Sequence, residues 1–128
     1  MNDQTAIALV RKLCTEWPSL SREDLHLMLA PDCLYINMPM PQGRCIGPDQ
    51  TYDLLAAFVG GWTIDMEVLH IQGDSATVLT ERLEYFTSKT NPDKVVQLHV
   101  MGAFELRDGK IAHWRDYFDS KESAALSS

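Results

Sequence analysis

Between Thr5 and Trp17 the apolar residues Ile7, Val10, Leu13, Cys14 and Trp17 recur at intervals of three and four, the spacing of one face of a helix. An amphipathic helix is expected there. A shorter one should follow, with Ser21 as its cap, Asp24 reinforcing the first turn, Leu25, Met28 and Leu29 as its buried stripe, and Pro31 as its stop. From Cys33 to Met38 the period changes to two, which predicts a strand. Pro48 to Val59 reads as a third helix, with Pro48 at the tolerated first position and Gly60 and Gly61 ending it.

After Thr63 the chain is rich in Val, Ile, Thr and aromatic residues, and strands are expected over Ile64–Ile71, Ala76–Thr87, Val95–Leu106 and Ile111–Phe118. The stretches QGDS and RDGK have the Gly and Asp chemistry of tight hairpins, and TSKTNPDK is a longer polar loop whose Pro92 cannot join a ladder. Helices first and a meander of strands afterwards make an α+β fold, in which about three N-terminal helices cover one face of a curved, mixed but mostly antiparallel sheet. With 128 residues the chain suits a single domain, 1–128, with residues 119–128 as a flexible tail.

Charge narrows the range of partners. Eleven Lys and Arg against 18 Asp and Glu leave a formal net charge of −7, which disfavours nucleic acid and anionic membrane surfaces. Cys14, Cys33 and Cys45 are an odd number without CxxC spacing, so reduced, packed thiols are expected rather than a disulfide framework. No apolar run approaches the roughly 20 residues of a membrane span, and the start lacks a basic segment ahead of a continuous apolar one. A soluble, cytoplasmic protein is expected.

The candidate chemistry lies in polar residues that share strand faces with apolar ones. In HWRDYFD, Asp116 has the parity of Ala112, Trp114 and Phe118, so a carboxylate points to the apolar side. An unpaired charge there would cost several kcal/mol, roughly, so Asp116 must be paired, protonated or useful. In LTERLEYF, Thr80, Arg82, Glu84 and Phe86 share a face; in CLYINMP, Tyr35 and Asn37 do; in VQLHVMGAF, Val96, Leu98, Val100 and Phe104 do. If these faces converge, a guanidinium would bridge two carboxylates in an apolar pocket and let them differ in protonation, which is acid and base machinery. Tyr35 and Asn37 would add a phenol and an amide able to hold a water molecule. Plainer roles stay open: a strand Arg and Glu can form a surface ion pair, and Asp116 can be a hydrogen-bonded structural acid. Tyr35 and Asn37 taken alone can be core or loop anchors.

In these residues lies a resemblance. YINMP, the TER followed by an acid two places after Arg82, and WRDYFD resemble the limonene-1,2-epoxide hydrolase family, in order and with similar separations. The resemblance runs from about Leu34 to Asp119, includes Gly102 to Phe104 and Gly109 to Ile111, and weakens over the first helix. It implies a cone-like α+β fold related to nuclear transport factor 2 and ketosteroid isomerase, with the helices on the concave face of the sheet. It also implies a homodimer that uses neither metal nor organic cofactor. Residue by residue, it implies that Asp116, Tyr35 and Asn37 hold a water, that Asp116 removes its proton as it attacks an epoxide carbon, and that Arg82 bridges the two acids. The second acid would protonate the epoxide oxygen. Here the family pattern has Asp and this chain has Glu84, a carboxyl one methylene further out.

Parity and resemblance together nominate Ile64, Phe86, Leu98, Val100 and Phe118 as lining of a pocket for a small hydrophobic epoxide, although each residue type suits plain core equally well. His26, His70, His99 and His113 show no HxH or HExxH spacing, so a metal site is not expected, and no phosphate-binding or dinucleotide-binding glycine pattern is present. Two alternatives remain. One is an isomerase or cyclase of the same fold, in which a single buried acid shuttles a proton beside a carbonyl. The other is a non-catalytic binding or dimerisation domain whose pocket holds a small apolar ligand.

Overall fold

In the computed structural model, which describes residues 1–127, helix α1 (Asp3–Glu16) starts where the Asn2 side chain accepts a hydrogen bond from Thr5 N at 2.7 Å. It buries Ala6, Val10, Leu13 and Cys14; the last three belong to the stripe that the helical spacing marks out, whereas Ile7 is only partly buried. Complete burial of a side chain such as Leu13 contributes about 1.5 to 3 kcal/mol. Helix α2 (Arg22–Met28) opens with a reciprocal capping box, Asp24 N donating to Ser21 Oγ at 3.1 Å and Ser21 N to Asp24 Oδ2 at 2.9 Å.

Strand β1 (Leu29–Asn37) follows without a break and is longer at its start than the alternation suggests. Pro31 is tolerated there because the β1 ladder is irregular between Leu29 and Leu34. The two-residue strand β2 (Cys45–Ile46), too short to show a period, leads into helix α3 (Gly47–Gly61). Gly47 is obligatory at that junction, because its φ is +84° and a Cβ would lie 2.8 Å from the Pro31 carbonyl oxygen.

The second half is a meander of β3 (Trp62–Gly73), β4 (Thr77–Ser88), β5 (Val95–Arg107) and β6 (Lys110–Tyr117). Asp108 and Gly109 both have positive φ, 53° and 77°, the geometry of a tight hairpin turn between β5 and β6. Residues 120–127, read from the sequence as part of a tail, hold a short helix, α4 (Ser120–Ala124), and a closing 3-10 turn.

All six strands form one sheet in the order β2-β1-β6-β5-β4-β3, antiparallel throughout except for the parallel β1–β6 pair. The three N-terminal helices pack as expected, α1 against β3 and β4, α3 against β1, and α2 against α3 and β1. The cone does not form. The sheet is open, with β2 and β3 as separate edges, and it is not curled into a cone. Helices already bury one face, so the sheet need not close on itself to hide apolar surface, and a two-residue β2 leaves little edge to protect. Cys14, Cys33 and Cys45 are free and buried. Among the described residues, no helix is long and apolar enough to cross a membrane.

Candidate active site

Strand register brings Asn37 on β1, Asp116 on β6, Gly102 on β5 and Thr80 on β4 into one row across the sheet. Alternation points the polar side chains of this row to the helix-covered side, with Arg82 and Glu84 next along β4. Gly102 leaves a gap in the middle of the row, and the Arg82 guanidinium fills it. A Cβ at Gly102 would lie 2.4 Å from Arg82 Nη1, 2.7 Å from Thr80 Oγ1 and 2.8 Å from Phe104 Cε1.

The guanidinium is 1% exposed and is held from several sides. Nη2 donates to Asp116 Oδ2 at 2.9 Å and to Glu84 Oε2 at 3.1 Å, while Nη1 donates to Thr80 Oγ1 at 2.9 Å. The Phe104 ring lies 6.0 Å away. Burial would weaken the charge on Arg82, but the Asp116 and Glu84 carboxylates oppose it, and the pKa stays well above the ordinary value.

Glu84 is set differently. Burial pushes its pKa above the ordinary 4.5; Arg82 opposes the rise, and the nearby Asp116 carboxylate adds to it. The Trp17 side chain lies beside Glu84 in the cavity wall and works against the rise. Asp116 is the better-held acid, because the Trp114 indole donates from Nε1 to its Oδ1 at 2.9 Å while Arg82 takes the other oxygen. Both acids are buried, at 6% and 5% exposure, yet both face a cavity.

Trp114 also stacks on Tyr35, with ring centroids 3.9 Å apart at 20°, and the Tyr35 hydroxyl donates to Asn37 Oδ1 at 3.2 Å. Burial, followed by the Asp116 and Glu84 charges, lifts the Tyr35 pKa well above 10, so the phenol is neutral. Beneath the cluster, Cys14 is a thiol that burial pushes up to about 12, with Thr80 as a hydrogen-bonding partner. It is not a nucleophile at neutral pH.

The cavity has a volume of about 420 Å³. Tyr35, Asn37, Glu84 and Asp116 cluster at one part of its lining, Ser120, Ser123 and Ser127 of the C-terminal segment add hydroxyls, and Phe86, Leu98, Val100 and Phe118 line its apolar part. Its size suits a small molecule, and its surface is mostly apolar with a few convergent polar groups. Ile64 does not line it, contrary to expectation. It lies on the edge strand β3, level with Phe86 in the ladder, and packs half-buried at the margin of the core. Arg82 sits below the surface and reaches the cavity only through the two acids.

Several residues of the site escaped the strand-by-strand reading. Trp114 and Thr80 had the right parity but no assigned task, and Gly102 carried the signal of a glycine inside a strand. Leu55 and Phe58 on α3, Met40, Trp17, and Ser123 and Ala124 on α4 reach the cavity only through tertiary packing.

On the opposite side of the sheet, Glu81 accepts from His70 Nδ1 at 2.9 Å and His99 Nε2 at 2.6 Å. Among the described residues, no group of three or more His, Cys, Asp or Glu side chains is placed to hold a metal ion.

A family model of the limonene-1,2-epoxide hydrolase catalytic domain matches residues 6–124. The chain belongs to this family. The matched span includes every limonene-1,2-epoxide hydrolase-like residue of the cluster, from Tyr35 to Asp116, and reaches the α4 wall of the cavity. Epoxide hydrolase EphG of Mycobacterium tuberculosis is 36% identical over 104 residues, a match spanning 79% of this chain and 66% of that protein, so the chain covers just under two thirds of its relative. The structure of an LEH-like epoxide hydrolase of M. tuberculosis is similar at a TM-score of 0.79 and 29% identity, over 98% of this chain and 91% of that one. A SnoaL-like polyketide cyclase structure from Jannaschia superposes at 0.82 over 98% of this chain and 94% of its own, but at 17% identity, and so shares the fold alone.

Proposed function

We propose that the protein is a cofactor-independent epoxide hydrolase that opens a small hydrophobic epoxide to a vicinal diol by direct attack of water. The observation that carries the reading is one nitrogen, Arg82 Nη2, bonded to both carboxyl groups at the polar end of an apolar cavity. The neighbouring arrangement supports distinct roles for the two acids. Glu84, whose pKa burial raises, is the acid assigned the proton. Asp116, anchored by Arg82 and Trp114, keeps further acceptor positions for a water O–H.

In the proposed step, Asp116, Asn37 and Tyr35 hold the water. Its oxygen bonds to one epoxide carbon while Asp116 takes a proton, that carbon's bond to the ring oxygen breaks, and Glu84 passes its proton to the departing oxygen. The product is a diol, and solvent exchange after release returns the proton to Glu84. No covalent enzyme intermediate forms. The ring strain of the epoxide supplies drive, so a positioned water, a base and an acid suffice.

The same reading has the protein acting in the cytoplasm as a homodimer. Leu79, Met101 and Tyr117, exposed on the face of the sheet away from the cavity, support a contact between copies. Sedimentation at micromolar concentration tests that point; a monomer would refute it. The activity is tested with a panel of aliphatic, terpene and aryl epoxides in heavy-oxygen water. The expected result is diol carrying one label after a single turnover. Label first in the protein, or no diol from any member of the panel, would overturn the proposal.

A further inference from the structure

Behind the main cavity lies a second one of about 90 Å³, lined by Leu20 and Leu25 from the α2 region and by Tyr52, Ala56 and Val59 of α3, among others. Two side chains, Trp17 and Leu55, line both cavities. They are 6% and 4% exposed, so they stand as a buried partition between two spaces. The partition is stiffly mounted. Thr51, one turn before Leu55, is fully buried and donates its hydroxyl to the Gly47 carbonyl at 2.9 Å, and Trp17 begins a 3-10 turn that contains Pro18.

We infer that Trp17 and Leu55 limit the substituent a substrate can carry toward α3, and that the space behind them is a latent extension of the substrate site. The inference deepens the hydrolase reading and rests on it for the identity of the reacting group. Trp17 and Glu84 both line the main cavity, so the partition begins on the wall that holds the proposed proton donor. A substituent on the epoxide carbon nearest that acid therefore points at this wall. At roughly 30 Å³ for each water-sized group, the second cavity takes about three more heavy atoms. Its lining side chains are aliphatic or aromatic and accommodate hydrocarbon, although polar atoms make up part of the wall. Leu55 is the side chain to change, because it separates the two spaces without touching the acids through a hydrogen bond. Leu55→Ala removes three carbons of wall and joins the cavities.

The test compares the parent, Leu55→Ala and Leu55→Ala/Ala56→Phe on terminal n-alkyl epoxides from butene oxide to dodecene oxide, reading kcat/KM against chain length. Binding of the matching unreactive n-alkanols is followed by calorimetry. Joining the spaces should move the chain-length optimum of Leu55→Ala upward by about three to six carbons. It should raise the long-to-short ratio of kcat/KM by about 10-fold or more, since single methylenes in apolar pockets discriminate by that order. Alkanol affinities should shift in parallel, and Ala56→Phe, which refills the second cavity, should reverse both changes. If the alanine variant does not fold, Leu55→Val should move the optimum the same way by a smaller step. An unchanged chain-length preference in a folded Leu55 variant overturns the inference. If the parent opens no epoxide, the hydrolase reading fails, and the alkanol series alone decides whether Trp17 and Leu55 form the wall.

Discussion

Replacing Gly102 by Ala adds one methyl group at the point where the Arg82 guanidinium passes over β5. Gly102 does not have positive φ, so the substitution introduces no backbone strain and its effect comes from contact alone. The new carbon would meet Arg82 Nη1 at 2.4 Å, Thr80 Oγ1 at 2.7 Å and Phe104 Cε1 at 2.8 Å, all shorter than real contacts allow. None of these neighbours can retreat into solvent, because Arg82, Thr80 and Phe104 are all 2% exposed or less. Overpacking of a filled interior costs about 1 to 3 kcal/mol. For a domain of this size, each kcal/mol lowers Tm by roughly 3 to 5 °C, so calorimetry should record a fall of about 3 to 15 °C. The activity assay should show more. A guanidinium pushed by about 1 Å carries both acids with it, and misplacement on that scale can lower kcat by as much as ~10²-fold. A folded Gly102→Ala protein with parental melting and parental diol formation would refute the view that the missing side chain makes room for Arg82.

Asp116→Asn changes size hardly at all and removes the proposed base, so diol formation should fall by about 10² to 10⁴ while the melting transition survives; near-parental turnover would remove Asp116 from the mechanism. Arg82→Gln leaves two buried acids without their shared cation and should lower stability by roughly 3 to 5 kcal/mol in denaturant unfolding, whereas an unchanged midpoint would mean that the cluster is solvated. Glu84 has its folded pKa raised above the ordinary 4.5, so the stability it contributes is fully present below 4.5 and lost as pH rises through the raised value. Glu84→Gln should flatten that decline in a series of melting curves and also lower turnover by about 10² to 10⁴, and an unaltered pH profile would contradict the protonated-acid role. Glu84→Asp, which withdraws the carboxyl by one methylene, should retain measurable turnover with a changed substrate preference; complete loss would show that the carboxyl must reach the position that only the longer side chain provides.

Alternation along single strands was enough to show which residues are inward. Asp116 shares its face with Trp114, and Arg82 and Glu84 stand two apart on β4, because side-chain direction in a strand depends on nothing beyond the local backbone. Helix α1, the Ser21 capping box and the Asp108–Gly109 turn were legible for the same reason, since each is a short-range preference of neighbouring residues. The motifs around Tyr35, Arg82 and Asp116 likewise pointed to the family before any contact was known. What could not be read locally was which faces meet.

The parallel pairing of β1 with β6 sets Asn37 beside Asp116 and Tyr35 against Trp114, although nearly eighty residues separate each pair in the chain. No property of either segment alone specifies that register. The same holds for Ile64, whose parity is indistinguishable from that of a lining residue until β3 proves to be the edge strand. It holds too for Trp17 and Leu55, which become a wall only when the turn after α1 and the face of α3 are packed together. The open sheet, in place of a cone, is a further decision of this kind. Closure depends on how the first and last strands find partners and on what the helices already cover, a balance struck over the whole chain rather than within any stretch of it.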